Sequence, residues 1–240
     1  MNYDKLESEL DQIKNEKYNL LKLINHDIRS PFNRVFALLQ LFEMENIPIT
    51  EQQKAYVNSM YLSVLSGLEM ITNLRDMREI DAGHITVEKK EFSLLNSMSK
   101  AVRSFSKQLE IKRQHLNSEL TIDQANCFSD EYYVQRIIEN VLSNAIKFSG
   151  QEKEITIRLN RNADAYEIEI EDCGDGIKED EEHLLFQKFQ KLSSIATGGE
   201  GCLGLGLHNT KYFLNQLEGN IELKRNENPG STFVIQLPVK

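Results

Sequence analysis

Apolar residues in the first third of the chain recur at helical spacing. From Tyr3, the positions Leu6, Leu10, Ile13, Leu20 and Ile24 follow a heptad that is interrupted by Lys17 and flanked by Asp, Glu, Lys and Asn, the pattern of a coiled coil. The stripe continues through Ile28, Phe32, Val35, Leu39 and Phe42 with no break signal. One helix is therefore predicted from about residue 3 to about residue 45, roughly 60 Å long. Three successive steps of four from Leu20 to Phe32 locally unwind a supercoil. Pro31 lacks an amide donor and crowds the carbonyl of Asp27, so a bend is expected within a turn. Both irregularities fall at His26, which lies two residues from Ile24 and from Ile28 and so faces water, away from the stripe.

Asn46-Ile47-Pro48-Ile49 ends this helix, and Thr50 with Gln53 makes a capping box for the next. There Val57, Tyr61, Val64, Leu68 and Ile71 form an apolar face that Leu65 and Leu74 widen. A hairpin cannot cover both stripes, which points to a homodimeric four-helix bundle through residues 1–80. Asp81-Ala82-Gly83 ends the second helix, and a domain boundary is expected near residue 85.

Beyond it the period changes. Strands are predicted over Ile85–Phe92, Leu116–Ile122, Glu154–Leu159, Ala165–Glu171, Asn220–Lys224 and Thr232–Leu237, the last two joined at Asn228-Pro229-Gly230. Helices are predicted over Leu94–Arg113, Glu131–Phe148 and about Leu205–Gln216. The fold class is thus a helical hairpin followed by an α+β sandwich.

Composition narrows the partners. With 240 residues, 40% of them hydrophobic, there is material for real cores. A charge of −9, from 28 basic and 37 acidic residues with no basic cluster, excludes nucleic acid and an anionic membrane. No run approaches the roughly 18 apolar residues of a membrane span, so a soluble chain is expected. Cys127, Cys173 and Cys202 are odd in number and have no metal-ligand spacing, which fits a reducing, cytosolic compartment.

Three stretches carry chemistry. Asn140, Asn144 and Lys147 recur at i, i+4 and i+7 on one helix face, where two amides and an ammonium could hold a metal and phosphates. Asp172-Cys173-Gly174-Asp175-Gly176 follows a strand directly, and its glycines let backbone approach a flat ligand. Gly198 to Leu207 holds five glycines in ten residues and leads into a helix whose N-terminal amides would meet an anion.

In this order, and together with an exposed histidine, these stretches resemble the two-component sensor histidine kinases over essentially the whole chain. His26-Asp27-Ile28-Arg29-Ser30-Pro31 is similar to the phospho-acceptor box, Asn140–Ser149 to the N box and Asp172–Gly176 to the first glycine box. Phe186-Gln187-Lys188-Phe189 resembles the F box, Gly204-Leu205-Gly206-Leu207 the second glycine box, and Gly230-Ser231-Thr232-Phe233 the closing-strand signature. The resemblance implies a coiled-coil signalling helix end (1–20), a dimerisation and histidine phosphotransfer domain (21–84) and a GHKL (Bergerat) ATP-binding domain (85–240).

It also implies ATP-dependent autophosphorylation of His26, with Asp27 orienting the ring or taking its proton, and then transfer to an aspartate of a response-regulator receiver domain. Asn144 would ligate Mg²⁺ on the triphosphate with Asn140 beside it, Lys147 would contact phosphate, and Asp172 would accept from the adenine amino group. Phe148, Gly174, Gly176, Gly201, Gly204, Leu205 and Gly206 would complete the ATP site, and Lys191 stands where the family often has an arginine facing the γ-phosphate. Cys173 and Cys202 would border the nucleotide. The chain departs from the family at Cys202 and Leu203, usually Gly and a small polar residue, and at Ser30, where many members use Thr or Asn for dephosphorylation. With no sensor before the coiled coil, the chain is expected to be the cytoplasmic catalytic core of a longer protein. A dimeric scaffold that has lost catalysis would not need to bind Mg-ATP. A chaperone- or topoisomerase-type ATPase would activate water with a Glu where Asn140 stands.

Overall fold

The computed structural model describes residues 3–122, 124–226 and 229–239, with side chains throughout except at 3–11, 14, 15, 17 and 24. The side chains of the predicted heptad positions Tyr3, Leu6, Leu10, Lys17 and Ile24, and Asn228 of the predicted closing turn, lie outside the described residues. The chain divides into two compact units between Ile85 and Thr86.

The first unit is a helical hairpin. Helix α1 spans Tyr3–Met44, unbroken through Pro31, and α2 spans Glu51–Asp81. Thr50 and Gln53 cap α2 reciprocally: the Gln53 amide donates to Thr50 Oγ1 and the Thr50 amide to Gln53 Oε1 at 2.8 Å. Gly83, at φ +68°, ends it in the left-handed region.

The predicted single stripe of α1 divides into two faces. Toward α2 it turns Phe32, Phe36 and Leu39; the Phe36 ring meets Tyr61 edge-on at 6.1 Å, and Phe32 fills the space over Gly67. Leu20, Ile28 and Val35, expected to be buried, are exposed, as are Leu23, Leu38 and Leu41. An apolar face that wide on one hairpin is too large for solvent. The hairpin interior is also more polar than the apolar spacing suggested, because α2 buries Ser66, Asn73, Asp76 and Arg78.

The second unit combines four α-helices with a mixed five-stranded sheet. Its elements are β1 (Lys90–Ser93), α3 (Leu94–Ser104), α4 (Ser106–Lys112), β2 (His115–Leu120), β3 (Asn126–Ser129), α5 (Glu131–Phe148), β4 (Glu154–Arg161), β5 (Ala165–Glu171), α6 (Gly206–Gln216), β6 (Asn220–Arg225) and β7 (Ser231–Pro238). A 3₁₀ turn covers Glu179–Leu184. Sheet order is β2-β4-β5-β7-β6, with β2 and β4 parallel and the other neighbours antiparallel; β1 and β3 form a separate antiparallel pair. Val134, Ile137, Ile138, Val141 and Leu142 of α5 pack over Ile157, Ile168, Ile170 and Ile235 as the core.

Two local expectations are corrected, and one strand is added. The strand predicted from Ile85 begins only at Lys90, because its partner β3 ends at Ser129 and the Glu88 amide is taken by the Asp130 carboxylate at 2.8 Å. The helix predicted over Leu94–Arg113 breaks at Phe105, where the Ser104 hydroxyl bonds back to the Ala101 carbonyl at 2.7 Å, and it ends at Arg113 in the left-handed region. Strand β3 carries no alternation long enough to read from sequence.

Because Phe32 occupies the space a side chain at position 67 would need, Gly67→Val is expected to destabilise the hairpin by about 1–3 kcal/mol. Urea unfolding followed by helical circular dichroism measures it; wild-type stability would mean that Phe32 is free to leave α2.

Candidate functional site

His26 stands on α1 with its side chain 86% exposed, and its Nδ1 lies 3.1 Å from Asp27 Oδ1. With Nδ1–H donating to that carboxylate, the lone pair sits on Nε2, pointing outward. One turn on, Arg29 is held by a 2.6 Å bond from Nη2 to the Thr72 hydroxyl, which itself donates to the Leu68 carbonyl at 2.8 Å. Ser30 and Pro31 are exposed beside His26. Asn25 is buried, and its amide finds no partner among the described residues.

In the second unit the chemistry-bearing residues gather around the carboxyl half of α5. Asn140 is buried, and its amide donates at 3.3 Å to the Gly206 carbonyl and to the Thr210 hydroxyl, so it secures the first turn of α6. Asn144, one turn on, is partly exposed, and its side chain makes no hydrogen bond among the described residues; Lys147 is buried. Half-buried Phe148 presents its carbonyl to Gly174, where a Cβ would lie 2.9 Å from that oxygen.

Asp172 directly follows β5 in a buried position, its Oδ1 accepting from the Gly174 amide at 2.8 Å and the Ser231 amide at 3.2 Å. Burial pushes its carboxyl up to about 6, against the pull of those two amides, and the Glu171 charge adds to the rise. Gly230, at φ +133°, passes so close that a Cβ would overlap the Asp172 carbonyl, and Gly176, at φ +77°, lies against Gly230. At the other end of the site Gly204, at φ +67°, leaves no room for a Cβ beside Gln190, and its carbonyl accepts from the Phe189 amide at 2.9 Å. Leu205 is buried in the core, Gly206 opens α6, and Gly201 and Lys191 are exposed on the loop between. Cys173 is exposed, and burial together with the Asp172 and Glu171 charges holds its thiol above its usual range, which disfavours the reactive thiolate.

No motif or spacing along the chain points to the group that secures the carboxyl end of α5. Lys112, with its side chain 2% exposed, donates to the Ile146 carbonyl at 2.7 Å and the Lys147 carbonyl at 3.2 Å, and pairs with Glu200 at 2.9 Å. Gln114 Nε2 reaches the carbonyls of Ile146, Ser149 and Gly150, and Thr197 donates to those of Lys147 and Ser149. A lysine and a glutamine ordinarily read as surface residues, so only the fold brings them here.

Two family models match the chain: the phospho-acceptor domain of His Kinase A over residues 16–83, and the histidine kinase-, DNA gyrase B- and HSP90-like ATPase over residues 129–240. Among curated proteins, the circadian input-output histidine kinase CikA of Synechococcus elongatus is 31% identical over 230 residues, covering 92% of this chain and 30% of that protein. The signal transduction histidine-protein kinase BarA of Escherichia coli is 28% identical over 223 residues, covering 90% and 24%. The chain therefore spans less than a third of these relatives. Among solved structures, the Acinetobacter baumannii histidine kinase AdeS superposes at a TM-score of 0.59 with 20% identity over 90% of this chain and 98% of that one.

The raised Asp172 pKa has a definite sign. From 3.8 to about 6 the folded chain keeps a proton that the unfolded chain has lost. This stabilisation is fully present below the lower value and is lost as the pH rises through the upper one. Asp172→Asn, which keeps an acceptor for both amides, should flatten the fall in urea stability across that window; an unchanged slope would mean that Asp172 titrates as an ordinary surface carboxylate.

Proposed function

The chain belongs to the two-component histidine kinases, as a phospho-acceptor domain followed by a GHKL-type ATPase domain, and from that premise we propose that it phosphorylates itself on His26 from ATP and passes the phosphoryl group to an aspartate of a response-regulator receiver domain. The observation that carries this reading is the exposed His26 imidazole with Nδ1 against Asp27. Nε2 attacks the γ-phosphorus; the N–P bond forms as the bond to the β-γ bridging oxygen breaks, and ADP leaves with the electron pair. The positive charge on the ring is relieved as the Nδ1 proton passes toward Asp27.

At the ATP site, the ionised Asp172 accepts from the adenine amino group, and the small profiles of Gly174 and Gly176 admit the flat base. Phe148 lies alongside, and Gly201, Gly204, Leu205 and Gly206 offer backbone amides to the phosphates. Lys147 and Lys191 supply positive charge. Mg²⁺ fits this site: a cation bound to the triphosphate keeps several waters and needs few protein ligands, and the Asn144 amide has no other partner among the described residues. When bound it would neutralise phosphate charge, with Asn144 as ligand and Asn140 holding α6 beside it.

The exposed Leu20, Ile28 and Val35 support a homodimer through residues 1–80, four helices burying what two leave open. No helix among the described residues is long and apolar enough to cross a membrane. Segment 1–20 acts as the end of a signalling coiled coil, 21–84 as the phosphotransfer and dimerisation domain, and 85–240 as the catalytic domain. Ser30, one turn from His26, is the position through which a phosphatase reaction would act.

Incubation with γ-labelled ATP should place acid-labile, base-stable label on the wild type and none on His26→Ala, whose nucleotide affinity stays near wild type because the acceptor belongs to another domain. Label remaining on the variant would put the acceptor elsewhere.

Nucleotide binding should itself depend on pH. Below about 6 Asp172 takes up a proton, so adenosine affinity falls there and GTP is rejected less well, whereas Asn144→Ala weakens Mg-ATP and leaves adenosine unaffected. Adenosine affinity that is flat from pH 5 to 8 would remove Asp172 from base recognition.

A further inference from the structure

Lys112 and Glu200 are 88 positions apart in the chain and meet in a buried ion pair, with side chains 2% and 5% exposed. All three ammonium hydrogens find acceptors: one on Glu200 and one on each of the Ile146 and Lys147 carbonyls. A cation at a helix carboxyl end also gains from the helix dipole. The other oxygen of Glu200 accepts from the Gly198 amide at 2.8 Å, so the carboxylate clamps the turn Gly198-Gly199-Glu200 from within. A Cβ on Gly198 would lie 2.9 Å from that carboxylate, so the glycine is what admits it. Thr197 binds the same helix end through its amide and its hydroxyl.

Burial lowers the Lys112 pKa from the ordinary lysine range, and Glu200 is the group that opposes this fall, while the Lys147 charge adds to it. Two like charges near one helix end are tolerable when a carboxylate sits against one of them. Glu200 without Lys112 would instead set a bare negative charge in the loop that must receive a triphosphate.

We propose that Lys112 and Glu200 are positioning residues for the phosphate-binding loop: their buried pair fastens the root of the loop to the end of α5 that carries Asn144 and Lys147, so that the loop amides meet the phosphates preset. The proposal rests on the ATP-site reading above. Neither residue touches the nucleotide; they act through the loop and the helix end, and they restrict a glycine-rich segment that would otherwise lose much entropy on binding.

The test uses the full chain as wild type, Glu200→Gln, Lys112→Met and the double variant Lys112→Met/Glu200→Met. Amide hydrogen exchange of residues 197–204 is followed without nucleotide, and titration gives the dissociation constants of adenosine and of Mg-ATP. Glu200→Gln preserves shape and one acceptor. It should speed loop exchange and weaken Mg-ATP by about tenfold each while changing adenosine by less than about twofold. The double variant should be no worse than the poorer single one, because the two groups act as a unit. Loop exchange at the wild-type rate in Glu200→Gln overturns the proposal, as does equal weakening of adenosine and Mg-ATP. A wild type that binds neither ligand sinks the ATP-site reading instead, and the exchange measurement still decides whether the pair fastens the loop.

Discussion

A helix end withdrawn from water must find donors for its last carbonyls, and the carboxyl end of α5 is such an end. The solution here draws on two distant segments: the α4–β2 connection, with Lys112 and Gln114, and the glycine-rich loop, with Thr197. Satisfying the carbonyls of Ile146, Lys147, Ser149 and Gly150 thus fixes more than a helix terminus. It sets the start of the parallel β2·β4 pair, the position of Lys147 and the root of the loop together, so a fault in one donor is felt in the other segment.

The opposite wall of the site is held by a second economy of hydrogen bonds. One carboxylate oxygen of Asp172 receives the amides of Gly174 and Ser231, tying the end of β5 to the start of β7. Glycine at 230 is required because the two backbones approach more closely than a side chain permits. The same burial that turns this carboxylate inward also raises its pKa, so the tie between the two strands and its sensitivity to acid come from one cause.

Periodicity makes the elements around the site legible in the amino-acid sequence. The 18 residues of α5 read correctly from end to end, as does the Thr50–Gln53 cap, because propensity, spacing and capping agree there. What could not be read was governed by tertiary partners. Strand β1 is short because β3 is short, and β3 is a four-residue ribbon that only its neighbour defines. The α1 stripe looked single because a heptad does not say which of two adjacent faces meets α2; Phe36 and Leu39 were won by Tyr61 and the groove beside it, while Leu20 and Val35 were left outward. The glycine boxes pointed to Asp172 and the loop, yet nothing near Lys112 in the sequence marks a lysine destined for the interior.

The sheet order gives the catalytic unit a history as well as a shape. Strand β7, the last strand along the chain, lies between β5 and β6, and Ser231, which closes the ring on Asp172, follows that residue by 59 positions. During synthesis the helical hairpin with His26 is therefore finished long before the sheet closes, and until β7 slots in, β5 and β6 each present an unpaired edge. A chain interrupted before β7 is an unclosed sheet, prone to capture by another strand. The hairpin thus leaves the ribosome before the strand that completes the sheet, in one irreversible order.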